Sequence, residues 1–184
     1  TRSIPVPEAI ADADGWLRAR LQSLPSAEDQ RDALRTQMAS LASDKTTQQF
    51  MADVLGDDAL PAHSRRLVLE AMSQASLSQT PVSWEKGLKW CLATGEEETL
   101  KAAVATVRAL PVSKNATVDF SEALLSVANK EEFPHELRVE ALAAITGGMR
   151  EVGDDLFAFL TNRLGSEDPL LRLAAAGVLA RARL

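Results

Sequence analysis

Tyrosine is absent from this chain of 184 residues, and the other aromatic residues are few, with five Phe and three Trp. The runs of β-branched and aromatic residues that signal strands are also scarce. Ala and Leu supply most of the apolar content instead, and these residues lose little conformational entropy in a helix. The composition therefore predicts an all-α fold that forms one domain, or one segment of a longer array.

Cysteine and histidine are equally scarce, since Cys91 is the only cysteine and His63 and His135 are the only histidines. One cysteine forms no internal disulfide and no thiolate metal cluster. His135 precedes Glu136, but a single His-Glu pair cannot supply the several ligands of a metal centre. No nucleophile motif, phosphate-binding loop or dinucleotide fingerprint is present. The sequence therefore predicts no catalytic residue, no cofactor, no metal site, and a protein that is not an enzyme.

Positive charge is in deficit, and the formal net charge is −6 at pH 7. This balance argues against a general nucleic-acid binder and against docking on an anionic membrane, because both need a concentrated basic face. No apolar run approaches the roughly 20 residues of a membrane span, so no membrane insertion is predicted. Residues 1–8 carry two prolines and lack the apolar stretch of a signal peptide. They are predicted to form an extended linker.

Turn signals recur along the rest of the chain between apolar segments of helical spacing, which predicts ten helices in five antiparallel pairs. An apolar anchor recurs in the second helix of each pair, at Leu34, Leu67, Leu100, Leu137 and Leu171, with steps of 33, 33, 37 and 34 residues. Each pair has an apolar face that only a neighbouring pair can bury. The predicted single domain covers 9–184, with repeats at about 9–42, 44–76, 83–110, 116–147 and 153–184.

A basic residue follows the anchor in four of the five copies, as Arg35, Lys101, Arg138 and Arg172. Acidic residues stand four to six positions before these bases, so we expect a ladder of ion pairs between stacked turns. The same acids suit the positive ends of the following helices as caps. A second interpretation remains open, in which the acidic turns form a rim that binds a cation or a basic partner.

The combination of proline, acid and Leu-Arg-x-x-Ala at fixed places resembles HEAT repeats. The best matches are FPHELRVEAL at 133–142 and PLLRLAAA at 169–176. The resemblance covers nearly the whole chain after Glu8 and weakens in the first pair. It implies a right-handed α-solenoid of about five HEAT-like antiparallel helix pairs, an armadillo-like helical array.

A narrower resemblance covers residues 124–184, including DDLFAFL at 154–160. This run is similar to the HEAT segment of large planctomycete-type multidomain proteins, in which a sugar-dehydrogenase-like β-propeller precedes the repeats and a haem-binding cytochrome c domain follows. The haem motif Cys-x-x-Cys-His is absent from this chain, so this segment could not bind haem covalently. The narrower resemblance implies a spacer or docking platform in an exported, extracytoplasmic (periplasmic) protein.

The sequence thus predicts a non-enzymatic scaffold for protein–protein or interdomain contacts, within a larger protein. The partner is a protein or a neighbouring domain of the same chain. We expect the second helices to line the concave side, and the candidate contacts there are Arg65, Glu70, Gln74 and Glu140. At the last helix we expect Val178, Leu179 and Leu184 to face solvent, and therefore expect the natural protein to continue beyond Leu184.

Two tryptophans stand six residues apart, at 84 and 90, which places them roughly 120° apart on a helix. Trp84 shares its face with Leu88 and Cys91 and is predicted to lie in the core. Trp90 shares its side with two lysines, so it is either an inter-repeat packing residue or an exposed aromatic anchor for a partner.

The rival function is an enzyme or lyase on a HEAT-like scaffold, either DNA glycosylase-like or metal-dependent hydroxylase-like. A DNA-repair enzyme of that kind needs a basic concave groove with aromatic residues. The charge of this chain has the wrong sign for such a groove, and the predicted second helices carry almost no aromatics. These observations favour the scaffold.

Overall fold

Helices account for nearly all the regular structure of this protein. A computed structural model describes residues 13–24, 27–111, 118–145, 147–148 and 152–182, and this part contains ten α-helices and no β-strand. The helices are α1 (Ala13–Gln22), α2 (Glu28–Leu41), α3 (Lys45–Leu55), α4 (Ala62–Gln74), α5 (Ser83–Thr94), α6 (Glu97–Ala109), α7 (Ser121–Asn129), α8 (His135–Ala144), α9 (Asp154–Arg163) and α10 (Pro169–Arg181). The predicted all-α class is therefore confirmed, while the predicted linker at 1–8 lies outside the described residues.

The helices pack in two rows that follow the order of the chain. The even-numbered helices form one row, in which α2 contacts α4, α4 contacts α6, α6 contacts α8, and α8 contacts α10. Helices α3, α5 and α7 form the second row, and each odd-numbered helix from α3 onward also contacts the even-numbered helix that follows it. Among the described helices, none combines the length and the apolar character that a membrane crossing requires.

The core lies between these rows and includes the five predicted anchor leucines, which are between 1% and 6% exposed. Trp84 on α5 is fully buried, and its indole Nε1 donates to the Gln48 carbonyl of α3 at 3.1 Å. The predicted core position of Trp84 is therefore confirmed. The helical period alone identified these residues because each belongs to the apolar stripe of its helix that faces the core.

Two helix starts carry the acidic caps that the sequence indicates. The Asp44 carboxylate accepts a hydrogen bond from the Thr47 backbone N–H at 2.9 Å, and this bond lowers the pKa of Asp44 below its ordinary value. The Asp168 carboxylate accepts from the Leu170 backbone N–H at 2.8 Å at the start of α10. Both carboxylates satisfy N–H groups that have no partner within the helix.

The predicted ladder of ion pairs forms only in part, and with different acids. Arg35 pairs with Asp32 at 2.7 Å and with Glu70 of the next even-numbered helix at 2.9 Å. Arg138 and Arg172 instead donate to backbone carbonyls. The Arg138 bond, 2.7 Å long, reaches the carbonyl of Ala128 in the last turn of α7. The negative end of a helix thus takes the place of the expected carboxylate.

Among the contacts of arginines with aromatic rings, three join a helix to a later odd-numbered helix. The distances from the guanidinium carbon to the ring centroid are 5.9 Å for Arg18 over Phe50, 5.3 Å for Arg65 over Trp90, and 4.1 Å for Arg138 over Phe159. A guanidinium over an aromatic face is attracted by the ring quadrupole. These contacts join helices to one another, and Arg18 also pairs with the Asp57 carboxylate at 2.5 Å.

The last helix exposes a different apolar side from the one expected. Val178 is 3% exposed and packs in the core with Leu171 and Ala175, so the prediction that it faces solvent is wrong. Leu179 is partly buried, and Leu184 lies outside the described residues. The side of α10 that is exposed carries Leu170 and Leu173 instead. Packing against α8 sets this rotation, because α10 is apolar on nearly every side.

Candidate functional site

A groove with a volume of about 620 Å³ crosses the row of even-numbered helices. Residues of α2, α4, α6 and α8 line it, together with Leu24 just before α2. Its apolar lining consists of Leu24, Leu67, Ala102, Ala105 and Leu137. The groove is a candidate binding site, because it combines four helices, apolar contact area and charged side chains.

Charges of both signs line the groove, and several are already paired. Arg31 pairs with Glu28, and Arg35 pairs with Glu70. The bond to Glu70 raises the pKa of the Arg35 guanidinium. Lys101 on α6 pairs with Glu97 at 2.7 Å and with Glu98 at 3.0 Å, and these bonds raise the pKa of the Lys101 ammonium. These pairs are partly exposed, so they hold side-chain positions more than they stabilise the fold.

Three charged residues of the groove form no ion pair within the described part of the chain, namely Arg66 on α4 and Glu136 and Glu140 on α8. Glu136 and Glu140 are four residues apart, so their carboxylates lie on the same face of α8. Arg66 lies two even-numbered helices away. The unpaired charges therefore differ in sign between α4 and α8.

The lining residues as a whole show the same asymmetry. On α2 and α4 the groove has three cations, Arg31, Arg35 and Arg66, against two carboxylates. On α6 and α8 it has one cation, Lys101, against three carboxylates. An occupant with both signs of charge is therefore favoured over a uniformly acidic or basic one.

The structure separates the five predicted contact residues. Glu70 and Glu140 line the groove, as a shared surface would require. Gln74, the last residue of α4, is exposed outside the groove lining. Arg65 and Trp90 lie together, also outside that lining. No finding tests whether any of the five contacts a partner, so that role stays a prediction.

Arg65 and Trp90 make contacts within the fold. Arg65 Nη1 donates to the carbonyls of Asp57 and Leu60 at 3.0 and 2.9 Å, which ties the turn before α4 to that helix. Its guanidinium lies 5.3 Å from the centre of the partly buried Trp90 ring. These contacts are the kind expected if Trp90 is an inter-repeat packing residue.

Sequence reasoning missed two residues of the groove whose charges are unpaired. Arg66 and Glu136 each stand one position before an anchor leucine, whereas Glu70 and Glu140 stand three positions after one. Positions four apart share a helix face, so the choice of Glu70 and Glu140 already implied the other two. The register of the repeat was the signal that could have found them.

The two histidines do not meet. His63 lines the groove, whereas the His135 ring lies edge-on to Phe159 with 5.8 Å between ring centroids. Glu136 faces the groove, so the His135-Glu136 pair is divided between two surroundings. Within the described ranges, no group of three or more His, Cys, Asp or Glu residues could hold a metal ion.

Cys91 is fully buried on α5. Burial raises the pKa of its thiol to about 12, and the nearby Arg65 charge offsets this only in part. Because the thiolate is the form that attacks electrophiles or binds metals, Cys91 is inert at neutral pH.

The Cys91 thiol makes stability depend on alkaline pH. In the unfolded chain it ionises near its ordinary pKa of 9.0, but in the fold only at about 12. Between these values the unfolded state binds fewer protons, so stability present below pH 9 is lost as the pH rises. Relative to a Cys91→Ala variant, we expect a slope of up to about −1.4 kcal/mol per pH unit. Urea unfolding of both chains from pH 7 to pH 10.5 measures it, and parallel curves would contradict it.

No protein-family model, no curated protein sequence and no solved structure matches this chain.

Proposed function

We propose that this chain is a non-enzymatic scaffold, a right-handed α-solenoid of five HEAT-like helix pairs that holds a protein segment in the groove. The segment belongs to a partner protein or to a neighbouring domain of a larger protein. The groove across four even-numbered helices is the observation that carries this proposal. The packing of these helices in chain order supports it, since repeat arrays stack each unit only on its neighbours.

The unpaired charges specify the chemistry of the occupant. Glu136 and Glu140 attract a lysine or arginine, and Arg66 attracts a carboxylate. Packed helices lie 8–10 Å apart, so α4 and α8 are separated by roughly 16–20 Å. An extended segment covers that distance with about five or six residues. We therefore expect an acidic residue about five or six positions from a basic one, with apolar side chains between them on the leucines and alanines of the floor.

The rival enzyme or lyase functions receive no specific support from the groove. Three carboxylates against one lysine on α6 and α8 disfavour the approach of a phosphate backbone at that end. The extracytoplasmic location and the propeller and cytochrome neighbours implied by the narrower resemblance stay predictions.

A pair of fluorescent peptides tests the proposal. The first has one Asp and two consecutive Lys separated by four Ala, Leu and Ser residues, so the lysines stand five and six positions from the Asp, and the second has the same composition with the charges adjacent. We expect the first peptide to bind more tightly, with an affinity that decreases as salt increases. Glu136→Lys and Arg66→Glu should each weaken its binding about tenfold, because each replaces an attraction by a repulsion.

A matched control and a rescue sharpen this test. Glu122→Lys makes the same charge change at an exposed position of α7 and should leave binding unchanged. A peptide in which Lys replaces Asp should recover affinity for the Arg66→Glu variant. Equal binding of both peptides, or binding that no groove variant alters, would reject the groove as the site.

A further inference from the structure

Exposed apolar side chains concentrate at the last two helices. Six large apolar residues are exposed in the described part, and four of them are Phe157, Leu164, Leu170 and Leu173. Leu170 and Leu173 are 76% and 72% exposed. Monomeric soluble proteins rarely leave large apolar patches uncovered, and such patches mark interfaces.

One side of α10 is apolar without interruption. We call it the α10 outer face, and it consists of Leu170, Leu173, Ala176, Gly177 and Ala180, all of which are exposed. Around the helix, neighbouring members lie within about 40° of each other, and all five fall in an arc of about 120°. A helix side that faces solvent normally carries polar residues, and this one carries none.

The repeat register shows that the position equivalent to Leu173 is covered on α4 and on α8. Leu173 stands two positions after its anchor, as do Leu69 on α4 and Val139 on α8. Leu69 and Val139 are 0% exposed, whereas Leu173 is 72% exposed. The position is therefore buried in two of the earlier copies and open in α10.

On α4 and on α8, the next even-numbered helix covers this position. The Thr106 hydroxyl of α6 donates to the Leu69 carbonyl at 2.9 Å. The Arg181 guanidinium of α10 donates at 3.2 Å to the carbonyl of Ala143, which is one turn beyond Val139. The α10 outer face thus continues an interface that α4–α6 and α8–α10 already form inside the chain.

We infer that the α10 outer face is covered by the same face of a second copy, in an antiparallel two-fold contact. An apolar face without polar side chains is complementary to itself. The exposed positions of α2, at the other end of the row, are mostly polar, which disfavours a head-to-tail contact. They include Glu28, Asp29, Gln30, Thr36 and Ser40.

Charge complementarity supports the antiparallel direction. The start of α10 carries Glu167 and Asp168, and its last turn carries Arg181. Antiparallel pairing brings the acidic start of one helix to the basic end of the other. It also sets the two helix dipoles antiparallel, which is favourable. Ala176, Gly177 and Ala180 permit a close approach of the two helix backbones, while Leu170 and Leu173 pack beside them.

The expected dimer is weak. A helix of 13 residues is about 20 Å long, so the contact lies at the lower limit of specific interfaces. We expect a Kd of roughly 1–100 µM, which sedimentation equilibrium from about 1 to about 500 µM measures. This association involves another face than the groove, so its failure would leave the proposed function untouched.

Leu173→Glu should raise the dimer Kd at least about a hundredfold, because the two-fold axis places each substitution in the contact twice. Val82→Glu is the matched control, since Val82 is 62% exposed and lies before α5. It should leave the Kd unchanged. Both variants should keep the wild-type circular dichroism, because neither side chain is buried. A wild-type chain that stays monomeric throughout, or a dimer that Leu173→Glu does not weaken, would overturn the inference.

Cysteine cross-linking locates the contact independently. Ala176 lies near the middle of the α10 outer face, so Ala176→Cys should form a disulfide with itself in an oxidising buffer. The wild-type chain is the control, because its Cys91 is fully buried. A wild-type dimer whose Ala176→Cys variant fails to cross-link would place the interface elsewhere and overturn the inference.

Discussion

Replacement of Trp84 by Ala is expected to remove about 3–5 kcal/mol from the free energy of unfolding. Trp84 lies on α5, and its side chain is completely buried. Its Nε1 donates to the Gln48 carbonyl of α3 at 3.1 Å. The variant loses the largest buried side chain and leaves a cavity. It also removes the donor to a carbonyl that remains within the fold. Urea unfolding followed by circular dichroism measures the loss.

Two further variants separate the causes. Trp84→Phe keeps most of the apolar volume and removes only the N–H donor, so its loss should be about 1–3 kcal/mol. Trp90→Ala should cost less than Trp84→Ala, because Trp90 is only partly buried and its ring is stacked by Arg65. Equal losses for the two alanine variants would show that the indole of Trp90 supports the core as strongly as that of Trp84.

The helices and their buried faces could be predicted from the sequence because both depend on local signals. Leu100 and Leu137 recur at repeat spacing, and both are 1% exposed. Asp44 and Asp168 cap helices because a short side chain next to a helix start reaches the free N–H groups whatever the rest of the fold does. Neighbours in sequence suffice for such features.

The partners of the basic residues were less predictable. Arg35 reaches Glu70, a residue 35 positions away on the neighbouring helix. Arg138 finds the Ala128 carbonyl and the Phe159 ring, and neither is an acid. A long side chain can reach several acceptors, and the choice depends on helix spacing that the repeat pattern does not give. The sequence pattern therefore predicted that the basic residues form ion pairs, but it did not predict which acceptor each of them contacts.

The exposed side of α10 was predicted wrongly for a different reason. Its apolar residues occupy nearly every position, so the helical period cannot distinguish the packed side from the open one. Val178 faces α8 and the core, while Leu173 faces outward. The groove shows the opposite case, since Arg66 and Glu136 follow from the register once Glu70 and Glu140 are placed.

Two helix glycines offer a pair of identical substitutions with opposite expected signs. Gly87 lies inside α5, where a Cβ would stand 2.9 Å from Leu55 Cβ and 3.1 Å from the Ala52 carbonyl oxygen of α3. Gly177 lies inside α10, where a Cβ would meet nothing within 4 Å. Backbone and a Cβ cannot rotate away, so Gly87→Ala forces α3 and α5 apart. We expect it to lower the free energy of unfolding by about 1–3 kcal/mol.

Gly177→Ala should raise the free energy of unfolding by up to about 1 kcal/mol, because alanine gains helix propensity there without a clash. The measurement belongs at about 0.1 µM or below, where most of the proposed α10 contact is dissociated even at the lower end of the expected Kd range. The same propensity gain applies to Gly87→Ala, so the difference between the two variants isolates the contact between α3 and α5. A stabilised Gly87→Ala variant would mean that these helices separate at little cost, and that the second row of helices is less tightly packed than its close approach at Gly87 indicates.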